Sequence, residues 1–297
     1  MSGPSLMKVF VQWVTQRRYR LVLVAIAFAP FLPVISTALL ALETIRLGGL
    51  TASTSALAAA GGIITLGALS TSEIGTFTVL GTATVFAGVV LGVLVRWAKS
   101  LTLAFQGSLL ICVLAVIVGL IVWPDPGVLV GSMVEEIASV LRANGATDSQ
   151  LAIVQSWNTL LFGVLGAVVF SQLVVALLLA YWWSGFNGPT GEFGRQFRML
   201  RLGRVLGIPA TLIMAVSLVL DAAVVQNLFP LALFGFWFQG VAVSHAWART
   251  KNWHPIVLGI AYVLLVTPLT GLVILGFGSL GLVDNWFDLR APLQQVA

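Results

Sequence analysis

Charged side chains are scarce in this sequence: only 8% of its 297 residues are Asp, Glu, Lys or Arg, whereas 59% are apolar. A water-soluble domain carries about 25% charged residues, because its outer surface has to be hydrated. The scarcity of charge therefore excludes an ordinary water-soluble protein and indicates that most of the outer surface faces lipid.

Cysteine and histidine are also rare, which limits the chemistry available to the chain. Cys112 is the single cysteine, and His245 and His254 are the only histidines, so neither a disulfide framework nor a multi-histidine metal site can form. The sequence contains no phosphate-binding glycine loop, metalloprotease helix motif or serine-hydrolase elbow. We therefore expect a protein that is not an enzyme and that uses no cofactor or metal.

Long apolar blocks make up most of the chain. Each provides about the 20 residues that a helix needs to cross a bilayer, and none alternates in polarity as the strands of a membrane β-barrel do. The eight blocks are 21–42, 47–69, 75–95, 101–123, 157–184, 205–225, 228–248 and 255–283. We expect an all-α, polytopic transmembrane bundle with eight to ten crossings, in which 1–297 form a single integral membrane domain.

The Lys and Arg residues indicate how these helices are oriented, because cytoplasmic loops of membrane proteins retain positive charge. Alternating connections place the basic groups at 96–99, 195–204 and 249–251 on one side of the membrane. The net charge of +5 and the pI near 10.0 therefore reflect the orientation of the helices in a bacterial inner membrane. They provide no evidence for a nucleic-acid partner.

The N-terminal bases fit this rule only if the first block turns back on itself. Pro30 and Pro33 interrupt block 21–42, and proline inside a helix removes a hydrogen bond and clashes with the preceding turn. With two short helices over 17–29 and 34–46, thirteen of the fifteen bases lie on the cytoplasmic side. The alternative is one kinked helix that violates the charge rule locally.

The last block, 255–283, is also ambiguous, because it is longer than one span requires and contains Pro268. It is either a tilted long helix or a second broken one. If it crosses once, Arg290 lies outside together with Arg142. The sequence therefore does not determine on which side of the membrane the C-terminal segment lies.

Two blocks are unusually rich in small residues, which allow helix backbones to approach closely in membranes. Block 47–69 is therefore predicted to be a central helix. In block 75–95, Gly88 and Gly92 are one helical turn apart on one face. The two interpretations are tight packing of this face against another helix and a path for a solute or ion, lined by the hydroxyl groups of nearby threonines.

Two connecting segments have distinct character. Segment 124–156 is predicted to be a periplasmic loop containing an amphipathic helix that ends at Asn144 and Gly145, because its apolar residues recur at helical spacing. Segment 185–204 is a basic cytoplasmic loop, which is either an anchor at the lipid headgroups or a docking site for a partner protein. Its bases are Arg195, Arg198, Arg201 and Arg204.

Polar side chains at membrane depth are costly and are therefore candidates for function. Gln172 and Gln239 lie inside apolar blocks, and Asp221 lies towards the outer end of block 205–225. We consider them candidate substrate-binding residues; the alternatives are helix–helix hydrogen bonds for the glutamines and an interfacial position for Asp221. His245, one turn before Arg249, is predicted to be interfacial.

A further charged group follows the last block. Asp284 and Asp288 are four residues apart on a helical turn, and Arg290 is close enough to pair with Asp288 or to fold back. This group is interpreted either as a cap-and-anchor network or as a cluster that recognises a partner or a solute.

The segments LFGFWFQGVAVSHAWARTKNW (233–253) and GLVDNWFDLRAPL (281–293) resemble the C-terminal half of the YybS-like family of bacterial membrane proteins. That family is similar at fold level to the substrate-binding S components of energy-coupling-factor transporters and to the rod-shape protein MreD. The resemblance implies an S-component-like bundle, although S components typically have six helices. Fold similarity does not specify a substrate.

Two functions are consistent with these features. The first is S-component-like binding or transport of a small solute, with a partner protein that supplies energy. The second is a non-catalytic membrane scaffold, like MreD, that recruits envelope or cytoplasmic proteins. The expected partners are the lipid bilayer, a small-molecule ligand and a membrane or cytoplasmic protein.

Overall fold

The structure is a computed structural model that describes residues 6–69, 75–125, 127–187 and 191–291. Within these ranges the chain is helical, and no β-strand occurs. The α-helices of the described residues are α1 (Leu6–Thr15), α2 (Arg18–Phe28), α3 (Pro33–Leu47), α4 (Gly49–Leu69), α5 (Gly75–Ala98), α6 (Leu101–Val122), α7 (Gly127–Ala143), α8 (Asp148–Ser184), α9 (Glu192–Arg198), α10 (Gly203–Val216), α11 (Ala223–Thr250), α12 (Ile256–Leu264) and α13 (Thr270–Phe287).

Six helices of the described residues are long and apolar enough to cross a membrane, and there are seven if the bent pair α9 and α10 forms one span. The six lie in α4, α5, α6, α8, α11 and α13. The chain is therefore a multi-pass helical membrane protein, as predicted. The count is lower than eight because block 21–42 folds into pieces of 11 and 15 residues, and block 205–225 yields a helix of only 14 residues.

The chain divides into two compact units. Unit 1 comprises 1–108 and 171–200, and unit 2 comprises 109–170 and 201–297. The helices α6 and α8 each contribute one part to each unit, so the division does not follow chain order. Residues 1–5, 70–74, 126, 188–190 and 292–297 lie outside the described residues. They fall within the predicted single domain, and some of them fall within the predicted periplasmic and basic loops.

In unit 1 the first apolar block is a helical hairpin, as the two prolines predicted. α2 ends at Phe28, and Pro33 occupies the first turn of α3, where the missing N–H of proline has no cost. The Ser36 hydroxyl donates a hydrogen bond to the Ala25 carbonyl at 3.0 Å, and Arg46 donates to the Thr15 hydroxyl at 3.1 Å. Arg46 therefore lies at the same end of unit 1 as the N-terminal bases.

The centre of unit 1 is α3, not α4 as predicted, because every residue from Ser36 to Thr44 is buried. The small-residue face of α5 packs directly on it: a methyl group added at Gly88 would overlap the Thr37 carbonyl, and one added at Gly92 would overlap the Thr44 side chain. Of the two interpretations of this face, the structure supports tight packing. By contrast, α4 is only one-third buried.

In unit 2 the most buried candidate span is α11, at 67%. The Asn227 amide connects it to α8: its oxygen accepts a hydrogen bond from the Gly163 backbone N–H at 2.7 Å, and its nitrogen donates to the Thr159 carbonyl at 2.8 Å. Asn227 is fully buried, so these bonds satisfy groups that lipid could not.

The last apolar block is broken, the second of its two predicted forms. α12 ends at Leu264, a turn over 265–269 contains Pro268, and α13 begins at Thr270. α13 then crosses α11 where Gly240 and Gly281 meet: a methyl group added to either glycine would overlap a backbone carbonyl of the opposite helix. Only glycine permits this close approach.

The amphipathic helix predicted in segment 124–156 is α7, and it stops where expected. Gly145 adopts a left-handed φ of +79°, and the Ala146 N–H bonds back to the Leu141 carbonyl at 3.0 Å, which closes the C-terminus in the manner of a Schellman motif. At the start of α8, the Gln150 side chain accepts a hydrogen bond from the Thr147 backbone N–H at 2.9 Å.

Candidate functional site

Gln239 lies in the middle of α11 and is completely buried. Its side-chain oxygen accepts a hydrogen bond from the Leu202 backbone N–H at 2.9 Å, and its side-chain nitrogen donates to Asp284 Oδ2 at 2.7 Å. Leu202 immediately precedes α10, where backbone N–H groups have no partner within the helix. Gln239 thus joins the start of α10 to the end of α13.

Arg290 completes this group by forming a bidentate ion pair with Asp284. Arg290 Nη2 lies 2.7 Å from Asp284 Oδ2, and Arg290 Nε lies 3.1 Å from Asp284 Oδ1. Both residues are at least 95% buried. Bidentate arginine–carboxylate pairs are among the strongest hydrogen-bonded contacts in proteins, and here the two charges neutralise each other inside the bundle.

Of the two options for Arg290, pairing with Asp288 or folding back, the structure shows the second, and the backbone explains why. Asp288 caps α13 in a left-handed conformation, with φ of +44°, so the chain reverses and Arg290 reaches back to Asp284. Asp288 instead lies 3.9 Å from Arg201 in a half-exposed pair. The end of α13 is therefore adjacent to Arg201, just before α10.

Burial bears on the two interpretations for Asp284 and Arg290, whereas Asp288 is half-exposed. Asp284 and Arg290 contact Gln239 and each other inside unit 2, so they are not available for surface recognition of a partner. Asn285 adds a further bond to the start of α10, from its side-chain nitrogen to the Gly203 carbonyl at 3.2 Å. We call Gln239, Asp284, Arg290 and the Leu202 N–H the buried polar cluster; it stabilises the contacts among α10, α11 and α13.

The three predicted substrate-binding residues differ in their surroundings. Gln172 is half-buried in unit 1, whereas Gln239 and Asp221 belong to unit 2. Asp221 is exposed in the segment before α11, and Ala223, the first residue of that helix, lies about 24 Å along it from Gln239 at 1.5 Å per residue. With both ends of its amide already bonded, Gln239 has a structural role in the fold.

His245 is half-buried on α11 and faces α12. Its Nδ1 lies 3.0 Å from the Val241 carbonyl, and its Nε2 lies 3.3 Å from the Tyr262 hydroxyl. The residue predicted to be an anchor at the interface thus connects two helices of unit 2.

The basic segment is organised around α9. Phe193 and Phe197 stack with ring centroids 6.0 Å apart, and Gln196 accepts a hydrogen bond from the Leu101 backbone N–H at 3.2 Å. Arg195 pairs with Glu192 at 2.8 Å. Of the four arginines, Arg195, Arg201 and Arg204 are exposed and Arg198 is half-buried.

Sequence reasoning missed a second polar site, at the basic end of unit 1. Glu43 lies near the end of α3 and is only 3% exposed. One carboxylate oxygen, Oε1, accepts a hydrogen bond from the Ser55 hydroxyl at 2.9 Å, whereas the buried Oε2 has no partner. The signal in the sequence that could have indicated this site is Glu43 directly after an apolar block, followed by Ser55 twelve residues later.

Glu43 lines a pocket of about 160 Å³ between the N-terminal helices and α3. Three arginines also line this pocket, namely Arg17, Arg18 and Arg46. Among the described residues, no cation lies within 4.0 Å of the Glu43 carboxylate. The pocket therefore combines a buried acceptor with several nearby donors, and we call it the Glu43 pocket.

Comparisons of the chain with protein-family models, with curated proteins and with solved structures found no match.

Proposed function

We propose that this multi-pass protein binds a small polar solute in the Glu43 pocket, at the cytoplasmic face of a bacterial inner membrane, as an S-component-like part of a transport system. The supporting observation is that Glu43, whose buried Oε2 has no hydrogen-bond partner, is one of the residues that line this pocket. A buried polar group of this kind costs free energy unless a partner satisfies it. Since the sequence has no nucleotide-binding motif, a partner protein supplies energy for translocation.

The size of the pocket limits the ligand. Sites for drug-sized molecules have about 300–1,000 Å³, whereas the Glu43 pocket has about 160 Å³. At about 30 Å³ per water molecule in the liquid, this is room for roughly five waters. The solute is therefore small, and the motif at 281–293 supports grouping the protein with YybS-like membrane proteins of similar fold.

Identification of retained small molecules tests this proposal. The protein is purified in mild detergent and extracted, and the extract is compared by mass spectrometry for wild type, Glu43→Leu and the matched control Glu136→Leu, which alters an exposed acid on α7. A small polar molecule retained by wild type and by the control, and lost from Glu43→Leu, supports the proposal. Identical extracts from all three proteins contradict it.

The second candidate function, a membrane scaffold, is supported by a different observation. Gln239, Asp284 and Arg290 of the buried polar cluster bond to one another, while Arg195, Arg201 and Arg204 are exposed for contact with lipid or protein. Affinity purification from detergent discriminates between the two: recovery of an energy-coupling ATPase favours transport. Recovery of shape or division proteins that is lost when the three arginines are replaced by glutamine favours the scaffold.

A further inference from the structure

We infer that the Glu43 pocket recognises a phosphorylated primary amine, the chemistry of phosphoethanolamine, with the ammonium group on Glu43 and the phosphate among the arginines. This inference rests on the proposed solute site and specifies its ligand class. Two sources carry this chemistry: a free soluble phosphoethanolamine and the headgroup of a phosphatidylethanolamine lipid.

The charges of the pocket select a ligand that carries both signs. Glu43 alone would attract a cation, and the arginines alone would attract an anion, but a ligand with only one sign would meet repulsion from the other part of the pocket. With three guanidinium groups and one carboxylate, the pocket has a formal charge of about +2. The anionic part of the ligand therefore has to carry the larger charge.

The arginines favour phosphate as that anionic part. Guanidinium groups bind phosphate oxygens in a planar, two-pronged manner, and Arg46 uses only one of its N–H groups for the Thr15 hydroxyl. Arg17 and Arg18 are exposed at the mouth, where they can approach a phosphate from a second direction.

Glu43 favours a primary amine as the cationic part. Its free oxygen needs an N–H or O–H donor, which an ammonium group provides and a quaternary trimethylammonium group lacks. The Ser55 hydroxyl already occupies Oε1 and holds the carboxylate in place. The pocket should therefore discriminate sharply between phosphoethanolamine and phosphocholine, which differ only in the substituents on nitrogen.

The surroundings of the pocket match the depth of lipid headgroups. Trp13 and Tyr19 are half-exposed or more, and the Arg20 guanidinium lies 5.0 Å from the Trp13 ring centroid. Exposed aromatic residues beside arginines are typical of the membrane interface. This position makes the pocket accessible both to a headgroup from the bilayer and to a solute from the cytoplasm.

Calorimetric binding measurements in detergent test the inference with four soluble probes: phosphoethanolamine, phosphocholine, ethanolamine and inorganic phosphate. Losing a hydrogen bond to a charged group costs about 1.5–3 kcal/mol, so phosphoethanolamine should bind roughly 10- to 100-fold more tightly than phosphocholine. Glu43→Gln should bring this ratio close to one, while Arg46→Gln should weaken both phosphate-containing probes. The control Arg142→Gln, on α7, should change neither.

A second arm distinguishes the sources. Delipidated protein is reconstituted into nanodiscs of phosphatidylcholine containing either phosphatidylethanolamine or phosphatidylglycerol, and the lipids retained after detergent extraction are counted by native mass spectrometry. Glu43-dependent retention of phosphatidylethanolamine, without binding of soluble phosphoethanolamine, assigns the headgroup as the ligand. Binding of the soluble probe alone assigns a free solute.

Three results would overturn the inference. One is phosphocholine or inorganic phosphate binding as tightly as phosphoethanolamine in wild type, a comparison that requires no variant to fold. The second is a phosphoethanolamine preference that persists in folded Glu43→Gln. The third is no binding of any probe together with no selective lipid retention. If the extraction experiment still finds another molecule whose retention depends on Glu43, the proposal of a solute site is supported and only the proposed ligand class is rejected.

Discussion

The buried ion pair in unit 2 leads to a large and specific stability effect. Replacing Arg290 by alanine leaves the Asp284 carboxylate 97% buried with only Gln239 as a side-chain hydrogen-bond donor. Removing one member of a buried ion pair typically costs about 3–5 kcal/mol. For a protein of this size, each kcal/mol lowers the melting temperature by about 2–4 °C, so we expect a decrease of about 6–20 °C.

The chain contains its own control. Arg201 and Asp288 form an ion pair of the same residue types, but at 3.9 Å and with both side chains 45% exposed. Exposed pairs contribute only about 0–1 kcal/mol. Arg201→Ala should therefore lower the melting temperature by about 0–4 °C, although it removes the same formal charge from the same end of unit 2.

Cys112 provides the assay, because it is the single cysteine of the protein and is buried within unit 2. A dye that fluoresces on reaction with thiols reports the temperature at which this unit opens. A double variant, Arg290→Ala with Asp284→Asn, removes the unpaired charge and should recover at least half of the loss. Equal melting temperatures for Arg290→Ala and Arg201→Ala, or no recovery in the double variant, would refute the reasoning.

Three further expectations follow from packing and topology. Gly281→Ala should lower the melting temperature far more than Gly276→Ala on the same helix. A methyl group added at Gly281 overlaps the backbone of α11, whereas one added at Gly276 meets no atom within 4 Å. Equal decreases in melting temperature would contradict the close crossing of the two helices. Asn227→Ala should cost about 1–3 kcal/mol in the thiol-exposure assay, because it leaves buried backbone groups of α8 without partners; an unchanged melting temperature would contradict this. With the native cysteine replaced, Gln16→Cys and Leu47→Cys should be labelled by a membrane-impermeant reagent from the same side, and labelling from opposite sides would exclude the hairpin.

The architecture of unit 1 was largely predictable, because its signals are local in the sequence. Pro30 and Pro33 break a helix wherever it is placed, and the distribution of bases then requires the chain to return. The spacing of Gly88 and Gly92 likewise predicts a close helix contact, although it does not identify the partner. That α3 rather than α4 lies at the centre depends on which helices surround it, and composition does not contain that information.

The polar sites were less predictable, because they depend on contacts between distant segments. Gln239 and Asp284 were both recognised as candidates, but their pairing across 45 residues is set by the glycine crossing of α11 and α13. The choice of Asp284 over Asp288 depends on one left-handed residue at a helix end. Glu43 is hard to identify from the sequence, because an acid at the end of an apolar block usually lies at the membrane surface, whereas the hairpin and α4 bury it here.

The buried ion pair also has a consequence for biosynthesis. Arg290 follows every membrane helix described here, so it leaves the ribosome after Asp284 and Gln239 have already been synthesised. Until it arrives, α13 carries a carboxylate that has no cation and is poorly suited to the bilayer interior. Stable docking of the last helix therefore depends on translation continuing past position 290, and a chain released only a few residues earlier would keep α13 loosely held and exposed to membrane proteases.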